Sequence, residues 1–353
     1  MDRHGNDDRI GDRIAPREAL LMATRISFRY LLKRVLVSVV VIWALLTILF
    51  LLLKAMPGDI TTRLLNPNIK PADLQNLREQ YGLDEPLWVQ YLKWVRNYMV
   101  LDFGYSLRSP TPVIDLIIER LPRTLVLFTT AYLLNLTIGT LAGIEFGWKR
   151  GSVEDRTGFM GGLTLYSIPY FWLAWLLLLV FSYQQFGLTW FPPGKMTPSF
   201  ESAFSSVELF TGVLWHLVLP VVSLSAVGWA GYMLVMRTSM QETLGEEYIQ
   251  TARAKGLSPT AVKYKHAARN AMIPVTTQAI VGIAFLIDGS VIVETVFSWP
   301  GIGALLVQSI LNRNFPVALA AFFMLGVLIV SLRLVTDIVY TYLDPRIKFG
   351  ENQ

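Results

Sequence analysis

The 353-residue chain is 53% hydrophobic and 16% charged, with a mean hydropathy of +0.45, which is too apolar for an ordinary soluble domain. Its net charge of +5 comes from basic residues spread over short segments, which argues against nucleic acid and for an anionic membrane surface. With no cysteine, and with His4, His216 and His266 far apart, no disulfide, metal site or cofactor is indicated.

Residues 1–30 mix both signs of charge and contain few large apolar side chains, so they read as a flexible tail with a short amphipathic helix near Phe28 to Leu32. Met22 is an alternative start. Val35 to Leu53 is apolar apart from Ser38 and Thr47, long enough to cross a hydrocarbon core of roughly 30 Å. The sequence MPGD follows it in place of a small-residue cleavage site, so residues 31–56 are expected to be a retained signal anchor.

Residues 57–123 have the composition of a segment outside the membrane, with amphipathic helical patterns near Ala72 to Tyr81 and Leu87 to Val100. Trp88, Tyr91, Trp94 and Tyr98 recur there at helical spacing, as aromatics do when they pack on a bilayer interface or on neighbouring spans. Further apolar stretches at Leu125–Ile144, Phe159–Phe181, Val213–Met236, Ile273–Val296 and Val317–Tyr340 complete six predicted spans. The expected architecture is an all-α polytopic membrane protein, with a core over 124–343 and a tail over 344–353. Pro169, Pro220 and Pro274 are tolerable where neighbouring helices satisfy the freed carbonyls. Gly139 and Gly143, and Gly158 and Gly162, form small-residue faces suited to close helix packing.

Charge sets an orientation. With the N-terminus in the cytoplasm, the short segments place 15 Lys and Arg inside and only Lys195 and Arg313 outside. Both termini, and the loop over 238–272, are then cytoplasmic.

That loop holds the longest charged run between apolar segments, EEYIQTARAKGLSPTAVKYKHAARNAMIPV. Its signals describe two short helices. Glu246 and Glu247 lie in a first turn, Arg253 and Lys255 in a last turn, and Gly256 sits at the C-terminal cap. Ser258 caps the second helix, with Pro259 at its first position. Ala252 and Gly256 are four apart, so the first helix is expected to offer a partner a face without bulky side chains.

The run TARAKGLSPTAVKYKHAARNAMIPV, together with VETVFSWPGIG, YLDPRI, GLDEPLWVQYLKWV, LDFGYSL and ERLPRTL, resembles the permease subunits of the dipeptide, oligopeptide and nickel class of ABC importers. The resemblance runs from about Leu31 to Lys348. It implies a type I importer permease of a prokaryotic cell membrane, with an extracytoplasmic subdomain after its first helix. It further implies a second permease, two ABC ATPase subunits and an extracytoplasmic solute-binding protein, the last an alternative contact for the 88–98 aromatics. Carried over residue by residue, the ATPase-coupling segment falls on Glu247, Tyr248, Thr251, Ala252, Arg253, Ala254, Lys255, Gly256 and Leu257. The family's more general motif has Glu-Ala-Ala where this chain has Gln250, Thr251 and Ala252, so that form survives only in part. The chain contains no G-x-x-x-x-G-K-[ST] phosphate loop, so ATP driving it would be bound by another subunit.

Ionisable groups within spans are costly and therefore informative. Asp288, midway along the fifth, either faces a translocation cavity or is held by another helix. Glu294, in the VETVFSWPGIG signature, is a candidate gate or loop anchor, and Tyr166, with Tyr170 and Trp172, either lines the pathway or faces lipid. Arg333 and Asp337, four apart, are placed to pair. Glu145 reaches the interface and calls for no special role, and His216 suits an interfacial hydrogen bond. A membrane-embedded enzyme would require a catalytic constellation, and no Ser-His pair, H-E-x-x-H or carboxylate dyad is visible by spacing. A channel would require a filter or a ring of charge, for which Asp288 alone is thin support.

Overall fold

The computed structural model describes residues 28–55, 85–184, 188–197, 205–283 and 290–343, and every named element among them is helical. The pattern near Ala72 to Tyr81, both termini and Asp288 lie outside the described residues. The first helix, α1 (Phe28–Ala55), carries the predicted anchor. Leu36, Val40, Leu51 and Leu52 on it are all exposed, an apolar surface that a lipid environment solvates and water does not.

The short helix α2 (Leu87–Met99) lies against α1, and three of its four aromatics explain why. Trp94 and Tyr98 are buried, their rings 4.1 Å apart, and Tyr98 meets Phe323 edge-on at 5.1 Å. The Trp94 indole donates to the Leu46 carbonyl at 3.2 Å, and the Tyr91 and Thr47 hydroxyls bond at 2.7 Å. These three pack on neighbouring spans, while Trp88 stays exposed.

The helix that carries the second predicted span begins before residue 124. This helix, α3 (Val113–Trp148), is continuous over 36 residues, about 54 Å, with Pro122 inside it. Only part of that length is needed for the hydrocarbon core, so the rod projects into the region expected to lie outside.

The third predicted span is broken. Helices α4 (Val153–Tyr166) and α5 (Tyr170–Phe181) meet at 99°. Pro169 disfavours helical backbone at Ile168 and has no amide to continue the ladder, so the chain turns at Ser167–Ile168. Helix α6 (Ser206–Thr243) opens on a reciprocal cap in which Ser205 and Glu208 satisfy each other's backbone amides. The loop helix α7 (Glu247–Ala254) follows, then a π-helix (Ala261–Ala268) that passes into α8 (Arg269–Ile283). Helices α9 (Ser290–Val296), α10 (Ile302–Leu311) and α11 (Phe315–Leu343) complete the order. Among the described residues, four helices are long and apolar enough to cross a membrane, or five if the bent α4–α5 pair is counted as one span.

Helices α3 and α6 form the spine. A side chain at Gly139, Gly143 or Gly147 would place its Cβ 2.3 to 2.5 Å from Trp229 O, Met236 Cβ and Met240 Cβ respectively, so glycine alone lets the two rods touch. On α4, a Cβ at Gly158 would meet the Phe146 ring at 2.2 Å, and one at Gly162 the flexible end of Met233 at 2.5 Å. Asp337 of α11 pairs with Arg34 of α1 at 3.0 Å, a partner on another helix that its spacing did not suggest.

Candidate functional site

The loop helix α7 is amphipathic over only eight residues. Ile249 and Ala252, three apart, are 0% and 6% exposed and sit in an apolar cluster with Ile144, Met236, Met240, Val262, Ala267 and Ala268. Glu247, Tyr248, Thr251, Arg253, Ala254, Lys255 and Leu257 are exposed. The expected open Ala252 and Gly256 face is therefore corrected. Ala252 faces the chain's own bundle, because Ile249 and Ala252 are the apolar stripe that burial favours.

Gly256 serves the backbone. At φ +74° it is left-handed, and a Cβ there would meet nothing within 4 Å. Its amide bonds to Arg253 O at 2.9 Å, and that of Leu257 bonds to Ala252 O at 3.4 Å, the two bonds of a glycine-terminated helix end. Ser258 Oγ then accepts the Ala261 amide at 3.3 Å. The second helix is not short, however. It continues through the π-helix into α8, since no glycine or proline interrupts KYKHAARNAM and Pro274 lies within the helix.

Polar bonds tie this loop to the ends of the spans. Glu145 of α3, for which the sequence suggested no role, accepts from Lys263, and from Tyr264 at 2.6 Å. The Arg253 guanidinium lies 5.7 Å from the Trp148 ring centre, and Asn270 donates to the Tyr248 hydroxyl at 2.7 Å. Nearby, Asp155 is 1% exposed and takes two bonds from Arg237, at 2.6 and 3.0 Å, and one from the Gly151 amide at 2.9 Å. The Arg237 guanidinium also lies 4.7 Å from the Phe159 ring centre. The hydrogen bond to Glu154 raises the Lys149 pKa above its ordinary value.

At the opposite end of the bundle, Glu294 is completely buried. It accepts from Thr124 at 2.7 Å and from the Ala304 amide at 3.0 Å, which places a carboxylate at the N-terminus of α10. Gly301 and Gly303 leave room for it, since a Cβ at Gly301 would come within 2.3 Å of the carboxylate. The Trp299 indole donates to the Arg123 carbonyl at 2.9 Å. The Glu294 carboxylate thus joins α3, α9 and α10.

Between the two ends, Tyr166 is the last residue of α4, half exposed, with its ring 3.9 Å from the Cβ position of Gly231. The Gln278 amide nitrogen lies 3.5 Å from the same position. Buried Asn135 Oδ1 and Gln278 Oε1 have no hydrogen-bond partner among the described residues. His216 Nδ1 bonds to Gly212 O at 2.7 Å. Asp155, Arg237, Lys263 and Thr124 were missed because their partners lie 82 to 178 residues away, a separation no local pattern reports. Among the described residues no group of three His, Cys, Asp or Glu is placed to hold a metal ion.

Three relatives match nearly end to end. The oligopeptide transport system permease protein AppB of Bacillus subtilis is 38% identical over 325 residues, 91% of this chain and 99% of that protein. A putative peptide permease protein of Brucella ovis is 39% identical over 324 residues, with the same coverage. A probable peptide ABC transporter permease protein of Sinorhizobium fredii is 36% identical over 324 residues, again covering 91% and 99%. Residues 27–128 match the N-terminal part of the membrane component of binding-protein-dependent transport systems. Residues 135–349 match the inner membrane component itself, and the chain belongs to that family, the binding-protein-dependent transport system inner membrane components.

Proposed function

We propose that the chain is one of two permease subunits of an ATP-driven importer, forming half of a path for peptides or for similar solutes such as nickel complexes and oligosaccharides. The observation that carries this is α7, whose apolar side is seated under the bundle while its polar side is left open. The peptide assignment is supported by what the relatives are named for. Members of the family are multi-pass proteins of the prokaryotic inner membrane and non-catalytic subunits, with ATP hydrolysis on a separate subunit.

In this proposal two ABC ATPase subunits dock on the open face of α7 through Glu247, Tyr248, Thr251, Ala254 and Lys255. Arg253 and Leu257 flank it, and Gly256 terminates the helix. ATP closes the ATPase pair, α7 moves with its groove, and six spans rock between inward-open and outward-open states. An extracytoplasmic solute-binding protein delivers cargo to the opposite end. Both termini are cytoplasmic, supported by 15 basic residues on one side against two. Tyr166 and Asp288 line the path and Glu294 braces its outer end.

The test is assembly followed by transport. Co-expressed with candidate ATPase subunits, the detergent-purified chain is expected to carry them at one ATPase per permease. Vesicles holding the complex are expected to take up short labelled peptides only with ATP and the binding protein. Uptake by the chain alone, or a purified complex free of ATPase, overturns the proposal and favours a channel or a membrane-embedded enzyme.

A further inference from the structure

The apolar seat of α7 is non-directional, so it resists removal of the helix from the bundle better than it resists sliding. The directional contacts are few. Lys263, 8% exposed, donates to Glu145 Oε1, and the same oxygen receives the Tyr264 hydroxyl. In an α-helix adjacent side chains diverge by about 100°. Here two neighbours converge on one atom, and they do so within the π-helix, a rare form that recurs at functional positions. Glu145 stands between Gly143 and Gly147, two of the glycines that seat α3 directly on α6. Arg253, on α7 itself, reaches Trp148 in the same last turn of α3.

We infer that Glu145, Lys263 and Tyr264 form a pin through which displacement of α7 is delivered to α3, as the chain itself delivers it to α6 and α8. The inference rests on the importer assignment and adds which residues transmit the motion. Without the pin, a push on α7 still reaches α6 and α8, which flank it along the chain. Helix α3 would then be reached only through apolar contact and the Arg253–Trp148 stack. These three are positioning residues: they touch neither ATP nor cargo.

The experiment uses the complete complex in proteoliposomes and measures two quantities: ATPase subunits retained, and stimulation of ATP hydrolysis by the solute-binding protein loaded with a mixture of short synthetic peptides. Lys263→Ala and Glu145→Gln are expected to retain the ATPase and lose about tenfold in stimulation, the size of an ordinary coupling energy. The swap Glu145→Lys with Lys263→Glu is expected to recover most of it. Should a single variant fail to insert, Tyr264→Phe, which removes one hydroxyl, takes its place, with an expected drop of about threefold. Full stimulation in the variants overturns the pin. Loss of bound ATPase overturns it too, since the residues would then serve docking. A wild-type chain that binds no ATPase defeats the importer assignment instead, so the two failures are distinguishable.

Discussion

The Thr124 hydroxyl donates to Glu294 at 2.7 Å while its oxygen accepts the amide of Ile302 at 2.8 Å, so one short side chain joins α3, α9 and the first turn of α10. Thr124→Val keeps the shape and removes both bonds in a buried setting. It is expected to cost about 1–3 kcal/mol, read as a lower melting temperature in detergent, while Thr124→Ser stays near wild type. Gly301→Ala is expected to be worse, because its methyl would overlap the Glu294 carboxylate.

Asp155 and Arg237 hold α4 to the end of α6. Asp155→Asn removes the charge from a carboxylate that is almost fully buried and leaves a cation with a poorer acceptor. A loss of about 2 kcal/mol is expected, less than for a fully buried pair because Arg237 retains some contact with solvent. Equilibrium unfolding in detergent checks it, with Glu154→Gln, exposed in its pair with Lys149, changing stability by less than about 0.5 kcal/mol.

The glycine stripe of α3 permits a size test. Gly143→Leu must displace Met236 and the Met233 carbonyl, which would lie 2.5 and 2.8 Å from the new Cβ, and is expected to part the spine. The cost is about 1–3 kcal/mol or more, seen as lower yield of monodisperse protein. Gly161→Ala is the control, because a Cβ there meets nothing within 4 Å.

The two faces of α7 separate docking from folding. Lys255→Glu, on the open face, is expected to reduce ATPase co-purification at least about tenfold with stability unchanged within about 0.5 kcal/mol. Ile249→Asp, at 0% exposure, is expected to destabilise the chain itself by more than about 3 kcal/mol. Melting and co-purification on the same samples distinguish the two, and the opposite pattern would exchange the roles of the faces.

Much of the fold was legible in the residues because membranes impose strong local rules. The first anchor, the capped loop helix ending at Gly256 and the Gly139–Gly143 face all follow from composition, spacing or backbone preference within a few turns. Less legible was where helices continue or break. Apolar composition alone merged α4 and α5 across Pro169, and split α3 at a shift in composition that its backbone ignores. The VETVFSWPGIG segment shows the same limit: its glycines signalled a special backbone, but that they make room for Glu294 depends on Thr124, 170 residues earlier.

By itself, the sequence determined that this chain lives in a lipid bilayer, that its charged loop forms a capped helix, and which family motifs it carries. These depend on hydropathy and on interactions within one or two helical turns. Only the tertiary structure decided which side of α7 is open, that Ala252 is turned inward, and that Glu145, Asp155 and Glu294 are bonded hubs. Each of those outcomes depends on which helix lies opposite, and a side chain's neighbours across a bundle are set by packing and not by order along the chain.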